Sequence, residues 1–434
     1  MELTGVLILV ISFLVLLSIG VPISYSIGIS AALTMLLSIE SLATFTTVAQ
    51  RMATGLDSFA LLAIPFFILA GQLMNRGGIA KRLIDFAKVL LGRLPGGLAF
   101  VNILAAMFFG AISGSAVAAA SAIGGFMGER MEREGYDKNF SAAVNITSAT
   151  TGLIIPPSNI LIVYSLASGG ASIAALFVAG YIPGIIVGLS LMAVAGVYSF
   201  RNKYPVGEKL VLKDAVIKLL DAVPSLLLII IVIGGIVAGY FTATEASAIA
   251  VLYTFILSVV VYKEVKLKEL PQILIDSSAT TAIVMLLVAA SIAMSWVMAY
   301  QNIPQSITEV LLSLTDDPIM IFMIINIILL AVGTFMDMTP AVLIFTPIFL
   351  PVVTSLGMDP IHFGIMMVLN LSIGLCTPPV GSVLFVGCSV ANIKIESVIK
   401  PLLPLFLAMI ISLLLVTYLP DLSLALPKYF GLIN

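Results

Sequence analysis

The chain is poor in the residues that soluble chemistry uses. Its 434 residues include one histidine, two cysteines and one tryptophan, and only 10% are charged. One His and two Cys exclude a His/Cys metal site or a disulfide framework. Cys376 and Cys388, twelve positions apart on one expected helix, read as small core residues. No basic patch offers a surface to nucleic acid. No Ser/His or metal constellation offers a catalytic centre, so an enzyme is not expected. The net charge of −2 says nothing about partners, because the charges are sorted by loop. A basic segment before the first apolar stretch is also missing. Residues 3–20 therefore read as a first span, not as a cleaved signal.

What remains is apolar. Hydrophobic residues make up 61% of the chain and the mean hydropathy is +1.20. That composition specifies an all-α polytopic membrane protein embedded in a lipid bilayer. Apolar runs long enough to span cover about 3–20, 22–38, 59–75, 139–168, 173–200, 222–240, 246–262, 273–300, 361–390 and 402–420. This makes about ten transmembrane helices. Two further stretches, 96–127 and 318–352, are too long for one span and too short for two.

The second half of the chain repeats the first. Gly135-Tyr136-Asp137 precedes Gly152-Leu153-Ile154-Ile155-Pro156-Pro157. Moved along by 222 positions, Gly357-Met358-Asp359 precedes Gly374-Leu375-Cys376-Thr377-Pro378-Pro379. With one residue of slip, Gly110 pairs with Gly333. The charges, however, are not repeated. The loop at 128–138 carries Arg130, Arg133 and Lys138, and its counterpart at 353–360 carries no Lys or Arg.

Positive loops stay in the cytoplasm. Arg76, Lys81, Arg82, Lys88 and Arg93 precede 96–127, and three more basic residues follow it. Both flanks favour the cytoplasm, so 96–127 reads as a re-entrant hairpin from that side. The flanks of 318–352 hold Glu309, Asp316, Asp317 and Asp359, so that hairpin enters from the opposite, periplasmic side. The loops with Arg201, Lys203, Lys209, Lys213 and Lys218, with Lys263, Lys266 and Lys268, and with Lys394 and Lys400 then fall inside. Only Arg51 and Lys428 lie outside. The two halves are thus inverted-topology repeats, the sequence mark of a secondary transporter.

Repeat 1 is expected over 1–200: scaffold helices in 1–58, a transport part at 59–168 containing hairpin 96–127, and a helix at 173–200. A cytoplasmic linker covers 201–221. Repeat 2 covers 222–434, with scaffold helices in 222–262, a transport part at 273–390 containing hairpin 318–352, and a last helix at 402–420. Segments 40–58 and 263–272 read as arms at the membrane interface.

Pro156-Pro157 and Pro378-Pro379 interrupt long apolar helices. A proline removes one backbone donor and frees the carbonyl about a turn earlier. Ser148, Thr150, Thr151 and Gly152 precede the first pair, and Ser372, Gly374 and Thr377 the second. Such carbonyls and hydroxyls are hard oxygen ligands suited to a sodium ion; a kink for packing is the plainer alternative. The hairpin tips read Gly110-Ala111-Ile112-Ser113-Gly114-Ser115-Ala116 and Gly333-Thr334-Phe335-Met336-Asp337-Met338-Thr339-Pro340. Half-helix ends there can hold ions of either sign. Asp337 is costly in an apolar hairpin, which points to function over a structural hydrogen bond. Glu245, after Thr242-Ala243-Thr244, reads as a helix cap. His362 is assigned no role. Trp296 and Tyr300 close a span at the outer interface.

An ordered set of motifs carries a resemblance. It comprises Leu62-Ala63-Ile64-Pro65-Phe66-Phe67, Asn75-Arg76-Gly77-Gly78, Ser113-Gly114-Ser115, Gly135-Tyr136, Ile155-Pro156-Pro157-Ser158, Gly239 to Ala246, Gly333 to Asp337, and Thr377-Pro378-Pro379. Together, over about residues 5–420, the chain resembles the large membrane subunit of a tripartite ATP-independent periplasmic (TRAP) transporter. It is more distantly similar in plan to divalent-anion/sodium symporters.

The resemblance implies import of an organic acid, such as sialic acid, another sugar acid or a C4-dicarboxylate, with sodium ions across the bacterial inner membrane. It implies an elevator mechanism, a small four-helix membrane subunit and a periplasmic substrate-binding protein as partners, and no organic cofactor. Mapped onto this chain, one sodium lies among Gly110, Ser113, Gly152, Ile155 and Pro156, and the second among Gly333, Gly374, Thr377 and Val380. Substrate lies near Ser113, Ser115, Thr150, Thr151 and Asp337. A self-sufficient sodium/organic-anion symporter of similar fold is the alternative. An ion channel is disfavoured, because the symmetry here is inverted within one chain.

Overall fold

The computed structural model describes residues 2–205, 212–315 and 317–433. Lys209, Asp316 and the 206–211 part of the expected linker lie outside the described residues. No strand occurs among the described residues, and the fold is all-helical.

The first half begins with α1 (Glu2–Ser18), α2 (Ile23–Met35), α3 (Ser41–Gly55), α4 (Ala63–Arg76) and α5 (Ile79–Leu91). A helical hairpin follows, α6 (Gly97–Ser113) and α7 (Ala116–Arg133), and then a helix broken into α8 (Lys138–Thr151) and α9 (Asn159–Ala167). It closes with α10 (Ile173–Ala179) and α11 (Tyr181–Arg201). The second half holds α12 (Leu212–Val237), α13 (Ala243–Phe255), α14 (Leu270–Tyr300) and α15 (Ile303–Leu314). A second hairpin is α16 (Pro318–Phe335) and α17 (Met338–Ser355), and a second broken helix is α18 (Pro360–Gly374) and α19 (Ser382–Ala391). α20 (Ile395–Tyr418) and a short α21 (Asp421–Tyr429) end the chain. Among the described residues, eight helical segments are long and apolar enough to cross a membrane; α1, α2, α6, α18 and α19 are shorter apolar helices.

The helices recur at the spacing of the sequence motifs. α7 starts at Ala116 and ends at Arg133, and α17 starts at Met338 and ends at Ser355, each 222 positions on. The local causes recur too. Gly135 and Gly357 both turn the chain at a φ of +87°, which only glycine adopts easily. Asp137 and Asp359 then cap the next helices, accepting from the amides of Phe140 at 2.8 Å and Ile361 at 2.7 Å. The Pro156–Pro157 and Pro378–Pro379 bonds are both cis.

Several boundaries differ from the hydropathy reading. The described part of the expected linker 201–221 is largely helical, because α11 reaches Arg201 and α12 already begins at Leu212. The early turns of α12 are polar and dock on α5, through Lys218 to Asp85 at 3.1 Å and Arg82 to Asp221 at 3.2 Å. The last helix starts at Ile395, ahead of 402, because its first turns carry Glu396 and Lys400, which an apolar window passes over. α7 extends beyond 127 to Arg133 for the same reason, and α17 runs to Ser355, just past 352. The expected arm at 40–58 is a helix, α3, but 263–272 is a loop, one 3₁₀ turn and the start of α14. No glycine or proline follows Pro271 before α14 ends, so the helix runs 31 residues without a break. Cys376 and Cys388 are both buried and unpaired, but the break between α18 and α19 separates them.

At the loop end of the first hairpin, Phe140 stacks on Tyr198 with 4.1 Å between ring centroids, and Tyr136 on Tyr204 with 4.3 Å. Burial pushes the Tyr136 phenol up to about 12. His362 is buried between Ser423 Oγ at 2.5 Å and the Thr417 carbonyl at 3.1 Å, tying α18 to α20 and α21.

Glu245 is a cap, as its spacing suggests. Its carboxylate accepts from the Thr242 amide at 2.8 Å, while the Thr242 hydroxyl accepts from the Glu245 amide at 3.2 Å. Thr242→Ala removes half of this box and should cost about 1 kcal/mol. Thermal melting of the detergent-purified protein should show a fall of a few degrees; an unchanged midpoint would exclude the box as a stabilising contact.

Candidate functional site

Two backbone contacts organise the centre. Helix α6 lies on the end of α8 at Gly110 and Gly152: a Cβ on Gly110 would sit 2.7 Å from the Gly152 Cα. Helix α16 lies on the end of α18 at Gly333 and Gly374: a Cβ on Gly374 would sit 2.6 Å from Gly333 backbone. No other residue allows backbones so close. The sequence-derived ion residues Gly110 and Gly152 therefore meet, as do Gly333 and Gly374.

The hairpin tips turn beside these contacts. Gly114 adopts φ +62°, and Ser115 caps α7 by accepting from the Ala118 amide at 3.2 Å. A Cβ on Gly71 of α4 would sit 3.1 Å from the Ser113 carbonyl oxygen, so the tip also touches α4. In the second tip, Met336 and Asp337 are extended and start α17.

The breaks hold themselves open with few bonds. In the first, the Ser158 hydroxyl donates to the Leu153 carbonyl at 2.5 Å. In the second, the Gly381 amide donates to the Thr334 carbonyl at 3.1 Å, which ties break to hairpin. The Thr377 hydroxyl donates back to the Ile373 carbonyl at 2.9 Å. Among the described residues, no amide donates to the carbonyls of Ile155, Pro156 or Thr377, which leaves these oxygens free to accept. The two breaks are not equal: Pro156 is buried, whereas Val380 is 42% exposed.

A cavity of about 480 Å³ lies between the two tips. Ser113, Ser115 and Asp337, three of the residues expected near substrate, line it. Thr150 and Thr151 do not. Both are fully buried, and their hydroxyls donate to their own helix, to Thr147 at 2.9 Å and Ser148 at 2.6 Å. A threonine in a helix can always turn its hydroxyl back in this way. Gln72 and Asn75 on α4, Asn159 at the start of α9, Thr280 on α14 and Thr339 on α17 also line the cavity; the sequence reading quotes Asn75 and Thr339 within motifs but gives none of the five a binding role. Gln72 and Asn75 sit three apart, on one face of an apolar helix, which was the available signal.

Among the described residues, Asp337 is the sole ionisable side chain in the lining, which holds no Lys or Arg. Positive field comes instead from helix starts. The first turns of α7, α9 and α17 all contribute lining residues.

Comparison with known proteins gives one consistent result. Residues 10–422 match the family described as "Tripartite ATP-independent periplasmic transporter, DctM component". The chain is 55% identical over 98% of both chains to "Uncharacterized protein YgiK" of Salmonella typhimurium. It is 40% identical to "C4-dicarboxylate TRAP transporter large permease protein DctM" of Pseudomonas aeruginosa, covering 94% of this chain and 95% of that one. It is 37% identical to "Sialic acid TRAP transporter large permease protein SiaM" of Vibrio cholerae, covering 97% and 98%. Among solved structures, the Alcanivorax borkumensis YdaH transporter shares the fold, with TM-score 0.65 at 13% identity over 91% of this chain and 90% of that one.

The glycine contacts yield a direct test. Gly152→Ala drives a methyl into Gly110 backbone and should destabilise by about 2 kcal/mol. Gly234→Ala meets nothing within 4 Å and should not lower stability. Melting midpoints of both variants in detergent check the pair; equal midpoints would remove the contact from the account.

Proposed function

This chain belongs to the DctM component family of tripartite ATP-independent periplasmic transporters, and on that premise we propose that it imports an organic acid in symport with sodium. It is a large permease subunit of the inner membrane and not an enzyme. The relatives' names print a C4-dicarboxylate, sialic acid and, for one, isethionate, a sulfonate, so organic acid is the class of cargo and its member is left open.

One observation carries the reading: the cavity between the hairpin tips joins an acid, several amides and hydroxyls, and three helix starts. The helix starts suit the carboxylate of the cargo. Asp337 would repel a second bare carboxylate and suits a hydroxyl- or amide-rich acid better. Sodium ions are cargo as well. The first is assigned to the backbone oxygens of Gly110, Ser113, Gly152, Ile155 and Pro156, and the second to Gly333, Gly374, Thr377 and Val380. The tight glycine contacts and free carbonyls support these assignments.

In this reading, hairpins and broken helices move as a transport unit against a scaffold of the remaining helices, and the two repeats lie inverted in the membrane. A small four-helix subunit braces the scaffold, and a periplasmic binding protein delivers the acid.

Uptake into proteoliposomes under an inward sodium gradient tests the whole. The panel holds sugar acids and dicarboxylates, with the small subunit and binding protein present or omitted. Uptake should require sodium and all components. Asp337→Ala and Thr377→Ala should each lower it at least tenfold, about 1.4 kcal/mol. Transport by this chain alone would establish the self-sufficient symporter instead. Unchanged uptake and sodium dependence in both variants would remove the site assignment.

A further inference from the structure

Helix α4 turns one stripe toward the cavity between the hairpin tips. Ile64, Ile68, Gly71, Gln72 and Asn75 all line it, at spacings that share one face of a helix. The stripe runs about 16 Å along the axis. Its start is apolar, and its end carries two primary amides.

Two contacts hold those amides in place. Gly71, one residue before Gln72, lies on the first tip, where a Cβ would sit 3.1 Å from the Ser113 carbonyl oxygen. Arg76, one residue after Asn75, pairs with Asp276 of α14 at 2.5 Å. The main chain that bears both amides is thus pinned on either side.

The protein itself uses neither amide. Among the described residues, the side chains of Gln72 and Asn75 have no hydrogen-bond partner, although both line the cavity and Gln72 is half-buried. Nearby hydroxyls are partly committed. Ser115 accepts from the Ala118 amide at 3.2 Å, and Thr280 donates to the Asp276 carbonyl at 2.9 Å.

The chemistry of an amide selects its partner. A carboxylate only accepts, so it would serve the NH2 of Gln72 or Asn75 and leave the amide oxygen unserved. A hydroxyl donates and accepts, so it serves both. Residues three apart on a helix stand about 5–6 Å apart at Cβ, so one chain can offer a hydroxyl to each. We propose that Gln72 and Asn75 are specificity-determining residues of this cavity. They select an acid with hydroxyls on two or more carbons over an acid of equal length without them. The inference rests on the organic-acid reading above. Cargo without hydroxyls covers the two amides and leaves them unpaired, which weakens its binding.

The test uses the membrane complex of this chain with the small subunit, purified in sodium. The binding protein is omitted, because it would impose a selection of its own. The probes are pairs matched in carbon number and carboxylates: tartrate with succinate, galactarate with adipate, and gluconate with hexanoate. Half-saturating concentrations come from the rise of the melting midpoint with added acid. In the wild type, the hydroxylated member of at least one pair should bind about tenfold more tightly or better, the scale of two hydrogen bonds. Gln72→Leu and Asn75→Leu should each cut that ratio about threefold or more, the scale of one. The loss should fall on the hydroxylated acid alone. Both concentrations come from one preparation, so a loss of stability cancels from the ratio. Gln72→Ala and Asn75→Ala replace any leucine variant that fails to fold. A wild type without preference overturns the proposal, and so does an unchanged ratio in the variants. Equal weakening of both members of a pair overturns it too. A wild type that binds none of the six acids would instead defeat the organic-acid reading, and this inference with it.

Discussion

The structure depends on two places where main chain touches main chain. Gly110 on Gly152 and Gly333 on Gly374 leave no room for even a methyl group. In a membrane, where apolar side chains gain little by leaving lipid, such close approach is a principal source of helix association. These contacts set each hairpin against its broken helix. The tips, the free carbonyls and the cavity follow from that placement.

The same shortage of space bears on the absence of basic residues from the described lining of the cavity. A lysine or arginine would need both space and solvation inside the membrane. Helix starts need neither, because their field belongs to backbone already paid for by folding. Breaking a helix at a Pro-Pro pair creates such a start, as at Asn159 and Ser382. One sequence device thus yields both free acceptors before the break and free donors after it.

Much of this was legible in the sequence because the relevant signals are backbone signals. The glycines, prolines and Gly-x-Asp turns fix local geometry wherever they occur, so their repetition exposes repeated structure. Side-chain direction was not legible. Thr150 and Thr151 look like ligands beside a break, yet both turn inward to their own helix. Gln72 and Asn75 look like minor blemishes in an apolar run, yet both face the cavity. Hydropathy also shortened α12 and α20, because their first turns find charged partners or water beyond the apolar zone.

The unbroken course of α14 has a mechanical consequence. Thr280 on the cavity wall and Trp296, stacked on Tyr300 and beneath Arg51, belong to one rod. The wall beside it is tied to the same rod: α4, which carries Gln72 and Asn75, packs along α14, and Arg76 pairs with Asp276 at 2.5 Å, four residues before Thr280. The two walls are thus clasped at one end, and a displacement of the rod carries Asn75 with it.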